Sequence, residues 1–339
     1  MTPSMTKTER VFAALRGDDV DRVPVSAWWH DFPREWSAPA LAEATLEAFR
    51  RYDWDFVKVN PRATYYAEDW GARYVMAAEA DRQPALTEPG VTSPEQLHDI
   101  QRLDVTKGAY GEQLEALRLI ARDLNGEAPF IQTVFSPLAT LSRITGSTKF
   151  VQKLMREHTH EVTMALHAVS QTLADYSRSC LGTGASGIFF ATVEWGSAGF
   201  ISMEDYETFG RPFDIPVLDA VKDAPFNVFH VCREHNHLPS LLDYPVAAFH
   251  WDVHGAGNPS LMDVLSRTGA AVMGGVSHDR TMAVPAPAEV AKQAERAIVE
   301  TGGARFLLAP GCSIDPATPE VNLRTLAQAV RRATPRAGR

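Results

Sequence analysis

His230 and Cys232 stand two residues apart at the end of an apolar run, FNVFHVC (226–232). In an extended strand, residues i and i+2 project to the same side, so the imidazole and the thiol would leave one strand end together. That pairing suits a soft metal ion. It equally suits a buried histidine and a buried free cysteine in a core strand. A second cysteine, Cys312, follows another buried-type run in RFLLAPGCS (305–313). Two thiolates and one imidazole make a zinc donor set with a fourth position left for a weaker ligand or a substrate, the arrangement of catalytic rather than closed structural sites. The tight CxxC spacing common in structural sites is absent. The third cysteine, Cys180, ends a long amphipathic pattern and reads as core packing.

Eighty residues separate Cys232 from Cys312, so the fold must bring them together. Strand-like apolar runs recur at 23–29, 56–60, 129–135, 187–193, 226–232, 246–253, 270–276 and 305–312. Most are continuous, as expected of parallel strands buried on both faces. Helical patterns lie between them, including 37–53, 111–124, 150–180, 203–221 and 260–269. A further pattern, TPEVNLRTLAQAVRRA (318–333), has Thr318 placed to cap and Pro319 in the first turn. Eight such alternations predict a (β/α)8 TIM barrel in one domain, residues 1–339. An open doubly wound sheet is the weaker alternative, because no Gly-rich phosphate loop follows the first run. Residues 64–92 read as a small β-hairpin excursion near the barrel mouth.

In such a barrel the chemistry gathers at the C-terminal strand ends. Read in order, those ends carry His30, Asn60, Ser136, Glu194-Trp195, His230-Cys232, Asp252 and His254, Ser277-His278-Asp279, and Cys312. Six of the eleven histidines fall between 230 and 278, a concentration that a scattered surface set would not show. GGVSHD (274–279) can offer backbone N–H groups, at Gly275, to an anionic ligand end, or can be a tight turn that needs glycine. His235 and His237 read as surface or supporting residues.

Net charge −9 and a pI near 5.7 argue against nucleic acid or an anionic membrane as the main partner. The opening MTPSMTKTERVFAAL has no apolar signal core and reads as a capped helix, Thr6 and Glu9 standing in capping-box register. No run approaches a membrane span. Three cysteines in this length do not make a disulfide framework, so a cytoplasmic protein with reduced thiols is expected.

Several stretches resemble the uroporphyrinogen decarboxylase superfamily: ERVFAALRGDDVDRVPV (9–25), FVKVNP, SPLATLSRITG (136–146), MGGVSHD and APGCSIDPATPEVN. The resemblance covers nearly the whole chain and implies a (β/α)8 barrel. The superfamily holds porphyrinogen decarboxylases and a zinc-using branch that moves methyl groups between a corrinoid protein and a thiol. Where the decarboxylases carry RQAGRY, this chain has WWHDFPREW, keeping only Arg34. Their aspartate after strand two is Asn60 here, and their GHG-type close is PGCS. The methyltransferase branch carries HxC in the fifth strand and GC at the eighth, which HVC (230–232) and GCS (311–313) match. That branch, like the similar cobalamin-independent methionine synthase barrel, can use a strand-six glutamate as a further ligand; the nearest equivalent is Asp252, with His254 as alternative.

The resemblance therefore implies His230, Cys232 and Cys312 as zinc ligands, and Glu194, Asp252 and His254 as acid/base or guarding groups. It implies Trp28, His30, Asn60, Gly275 and His278 as positions touching a cofactor. Trp28, Trp29 and Trp195 can wall a flat macrocycle, although ordinary core packing accounts for them as well. The expected partners are a corrinoid protein or free cobalamin and a small thiol or methylated substrate, because the chain has no DxHxxG cobalamin-binding motif of its own. A homodimer is open, since the decarboxylase branch is often dimeric. Two rivals remain: a divergent lyase on the same barrel without corrinoid, and a corrinoid-docking subunit with a relic site.

Overall fold

In the computed structural model, which describes residues 4–332, the strands are β1 (Val57–Val59), β2 (Arg73–Val75), β3 (Ala85–Glu88), β4 (Phe130–Phe135), β5 (Gly187–Ala191), β6 (Val228–Val231), β7 (Ala248–Trp251), β8 (Ala271–Val276) and β9 (Phe306–Pro310), all but β2 and β3 lying in the apolar runs. Seven of these form one parallel sheet in the order β1-β4-β5-β6-β7-β8-β9. The other two, β2 and β3, pair antiparallel. They are the hairpin excursion expected within 64–92.

The expected first strand, 23–29, is not a ladder strand. It fills the eighth position as an irregular stave. Leu308 N donates to Pro24 O at 2.9 Å, Ser26 N to Leu308 O at 3.2 Å, and Asp55 N to Val25 O at 2.9 Å. Isolated parallel bridges join Val25 to Leu308 and Trp29 to Ile314. Pro24 has no N–H to give, which accounts for part of the missing ladder. The stave spans the gap between β9 and β1, completing the (β/α)8 arrangement.

Inward side chains alternate along each strand. Phe56, Ile131, Phe189, Val228, Ala248, Met273 and Leu307 form an interior cluster. Val11 and Leu15 of helix Lys7–Arg16 join the same cluster, so that helix plugs one barrel end. It starts with the expected capping box between Thr6 and Glu9. Two helical patterns are broken. The 150–180 pattern divides at His158 into Thr148–Glu157 and Thr159–Gly182. The 203–221 pattern divides at Gly210. The final helix is Glu320–Arg332, and Thr318 Oγ1 has no hydrogen-bond partner, so the expected cap is not made. No described helix is long and apolar enough to cross a membrane.

Candidate metal centre

Strand β6 aims His230 inward, and Cys232 follows on the same side just past the strand end. Strand β9 delivers Cys312 to the same rim through Gly311. The three side chains converge: His230 Nε2 lies 2.7 Å from Cys232 Sγ and 3.5 Å from Cys312 Sγ, and the two sulfurs are 3.7 Å apart. Bond lengths of about 2.3 Å to sulfur and about 2.05 Å to nitrogen in a tetrahedron put two sulfurs about 3.8 Å apart and sulfur and nitrogen about 3.6 Å apart. Two of the three separations therefore already fit zinc. The third is a hydrogen-bond distance and would have to open by roughly 0.9 Å. The donor chemistry fits this ion, and the spacing fits it once that one contact opens.

The environment prepares each donor. His230 Nδ1 lies 2.7 Å from His250 Nδ1 and 3.2 Å from the His250 carbonyl. His250 Nε2 lies 2.9 Å from the carbonyl of Pro310. That carbonyl can only accept, so His250 carries its proton on Nε2 and receives the Nδ1–H of His230. The Nε2 lone pair of His230 is thereby left facing the sulfurs, the tautomer a metal ligand needs. Burial, reinforced by His230, holds His250 well below the usual imidazole range, so it stays neutral. The hydrogen bond from Cys232 brings Cys312 well below the ordinary thiol value, and His230 adds to this. Cys232 is pushed up, because its loss of a proton would set a second thiolate against Cys312 in a buried site.

The other candidate residues take separate places. Asp252 follows β7; its Oδ1 accepts from His254 N at 3.0 Å and its Oδ2 lies 3.7 Å from His278 Nδ1. His278 Nδ1 has no hydrogen-bond partner. With Asp279 these two form a second group of ligand-type side chains, separate from the cysteine set. The His254 imidazole is occupied by the Gly275 carbonyl, 3.0 Å from Nε2. Gly275 itself has φ +116°, and a Cβ there would stand 2.7 Å from Ala297 Cβ, so close helix packing accounts for the glycine. Glu194 accepts from Thr148 Oγ1 at 2.7 Å and lines a cavity of about 210 Å³ with Tyr66 and Arg143. His30 pairs with buried Glu35 at 2.8 Å and stacks on Phe32. Trp28 lies edge-on to Phe189 and His250. Trp195 is fully buried in the core with its Nε1 donating to Ser142 Oγ, and Trp29, half-buried, packs on Tyr52. Cys180 is buried in the helix Thr159–Gly182, as read from its pattern.

Two residues at the site escape a reading by motifs. His250 is paired in register with His230 across β6 and β7. Lys58 sits in the middle of β1, buried, bonded to Asn60 Oδ1. Burial brings its ammonium down to about 7, against the opposing pull of Cys312, Cys232 and Glu35. The signal for both was a polar residue inside an otherwise apolar run, AFHW and FVKV.

The family model described as uroporphyrinogen decarboxylase (URO-D) matches residues 32–333. The methylcobamide:CoM methyltransferase MtbA of Methanosarcina acetivorans is 25% identical over 346 residues, covering 95% of this chain and 97% of that one. The uroporphyrinogen decarboxylase of Nitrosococcus oceani is 27% identical over 247 residues, covering 63% of this chain and 64% of its own. Among solved structures, a methyltransferase from Methanosarcina mazei superposes with a TM-score of 0.82 at 22% identity, covering 97% of this chain and 99% of that one.

Proposed function

The chain belongs to the uroporphyrinogen decarboxylase (URO-D) family, and we propose that it is a zinc-dependent methyltransferase moving a methyl group between a corrinoid and a thiol. One observation carries this reading: His230, Cys232 and Cys312 converge at the strand C-termini, two of their three separations matching a tetrahedral zinc site. The full-length similarity to a methylcobamide:CoM methyltransferase supports it. Two departures from the decarboxylases support it too. Arg34, the only arginine left of their paired motif, is occupied by Asp31 and Glu47, and Asn60 is engaged with Lys58.

A zinc ion held by this set would supply Lewis acidity that lets a bound thiol lose its proton near neutral pH. The protein's own groups then have defined tasks. His250 holds the His230 tautomer. Asp252 lies against Gly311, next to Cys312, with His278 beside it, so both are near enough to guard a bound substrate. Glu194, in the cavity it lines with Tyr66 and Arg143, is assigned to contact substrate or take up a proton. The corrinoid, as methyl-carrying substrate, comes from a partner protein or from solution.

The test is metal analysis of the purified protein beside Cys232→Ala and Cys312→Ala, followed by a methylcobalamin-plus-thiol assay. About one zinc per chain, lost together with methyl transfer in both variants, is expected. A folded, metal-free wild type that binds no added zinc would overturn the reading.

A further inference from the structure

Lys58 is a buried cation that the metal-binding groups leave unexplained. Strand β1 turns Val57 and Val59 outward and Lys58 and Asn60 inward. Only 6% of Lys58 is exposed. Its ammonium lies 4.8 Å from the Phe189 ring centre and 5.6 Å from that of Trp28. The Phe189 ring in turn is 5.0 Å from the His230 ring, and Trp28 is 5.2 Å from His250. One layer of aromatic side chain therefore separates the ammonium from the imidazoles of the centre.

Its only hydrogen-bond partner among the described residues is neutral, the Asn60 carbonyl oxygen. No described carboxylate pairs with it. Burial draws this ammonium toward its neutral form, and an anion placed close to it is what holds it charged. The titratable groups around it are few. Glu35 faces it from the turn after the stave; its Oε1 is taken by His30 and the Asp31 N–H, its Oε2 has no hydrogen-bond partner, and burial raises this carboxyl above the usual range, which weakens it as a counter-charge. His250 faces it from β7 and is neutral. The other groups that pull on it are Cys312 and Cys232 of the centre itself.

Charge counting gives the rest. Two thiolates balance a divalent ion. A third thiolate, from a substrate, leaves the buried centre with one uncompensated negative charge. Lys58 and Asn60 also line a cavity of about 170 Å³ with Trp28, Trp29 and Glu35, and Asn60 Nδ2 is buried without a partner.

Resting on the function proposed above, we infer that Lys58 is a positioning residue whose ammonium balances the substrate thiol sulfur once that sulfur has lost its proton. Asn60 holds the ammonium in place through its side-chain oxygen. The residue does not ligate metal and does not transfer a proton; it sets the pH at which a thiol binds as thiolate.

The experiment uses the full chain loaded with Co(II) in place of zinc and 2-mercaptoethanol as the thiol. The thiolate-to-cobalt absorption band is followed from pH 6 to pH 9 in wild type, Lys58→Met and Lys58→Arg. Cobalt stoichiometry checks that each variant is folded and the centre intact. Lys58→Met is expected to bind cobalt fully but to need a pH about one unit higher for half-maximal thiolate binding, equivalent to roughly tenfold weaker binding at a fixed pH below the midpoint. Lys58→Arg, which keeps the charge, is expected to restore the wild-type midpoint. An unchanged midpoint in Lys58→Met overturns the inference while leaving the methyltransferase reading standing. Loss of cobalt from Lys58→Met also overturns it, assigning a structural role. A wild type that binds cobalt and never shows the band overturns both.

Discussion

His230 and His250 face each other across neighbouring strands, Nδ1 to Nδ1 at 2.7 Å, with the far nitrogen of His250 directed at the Pro310 carbonyl. This relay ties the ligand on β6 to the strand that delivers Cys312, since Pro310 stands two residues before it. The tautomer of one ligand and the path of another are thus set by a single imidazole that need not touch metal.

His250→Phe keeps an aromatic body in the barrel but removes the acceptor for His230 Nδ1–H. Groups that orient metal-bound histidines typically contribute 10–100-fold in affinity. Zinc affinity, measured by chelator competition, is expected to fall about 10–100-fold while the fold persists. Unchanged affinity would show that the His250 carbonyl, 3.2 Å from the same nitrogen, suffices alone.

Gly311→Ala tests how closely β9 approaches β7. A Cβ at 311 would stand 2.6 Å from Asp252 Cα and 2.7 Å from its Cβ. Such contacts are with backbone and its first side-chain carbon, so the strand end carrying Cys312 must move. A misplacement near 1 Å is enough to cripple a catalytic site. The expected result is weakened zinc binding, with circular dichroism close to wild type. Full zinc occupancy with unchanged affinity would mean that the loop absorbs the methyl group.

These two positions show what the sequence made legible and what it did not. The HxC spacing and the distant GC pair were readable because strand periodicity and barrel closure are simple geometric rules. The hairpin within 64–92 was readable from its polar, turn-rich composition. His250 and Lys58 were not singled out, because apolar runs were read for their strand character rather than for the polar residue inside them. The break at His158 was hidden because Val151, Leu154 and Met155 on one side and Val162, Ala165 and Leu166 on the other keep helical spacing right through it. The stave at 23–29 read as a strand because its residues are apolar; what it lacks is a regular ladder, which periodicity does not report.

The stave is instead held by Asp55, and that makes a stability prediction. Asp55 is fully buried and accepts from Arg10 Nη1 at 2.8 Å, from both ends of Arg22 and from Val25 N at 2.9 Å. Breaking one partner of a buried ion network leaves uncompensated charge and costs about 3–5 kcal/mol. Asp55→Asn is expected to lose stability of that order in urea titrations at neutral pH. A loss below 1 kcal/mol would mean that the two arginines rehydrate readily.

Asp214 supplies a pH dependence away from the metal centre. It is buried beneath Tyr206 and Tyr244, whose hydroxyls donate to its Oδ2 at 2.5 and 3.1 Å. Burial raises its carboxyl to about 7, with the two tyrosine hydrogen bonds acting in the opposite sense. In the unfolded chain an aspartate titrates near 3.9. Between those values the folded state holds a proton that the unfolded state has lost, so stability must fall as pH rises, by up to about 1.4 kcal/mol per pH unit. Above pH 7 the loss levels off. Asp214→Asn, neutral at every pH, is expected to flatten this slope, and its deficit relative to wild type at pH 5 should shrink or reverse at pH 8. Parallel stability curves for the two proteins from pH 5 to pH 8 would show that Asp214 is already ionised in the fold, with Arg211 and the two hydroxyls sufficient to hold its charge.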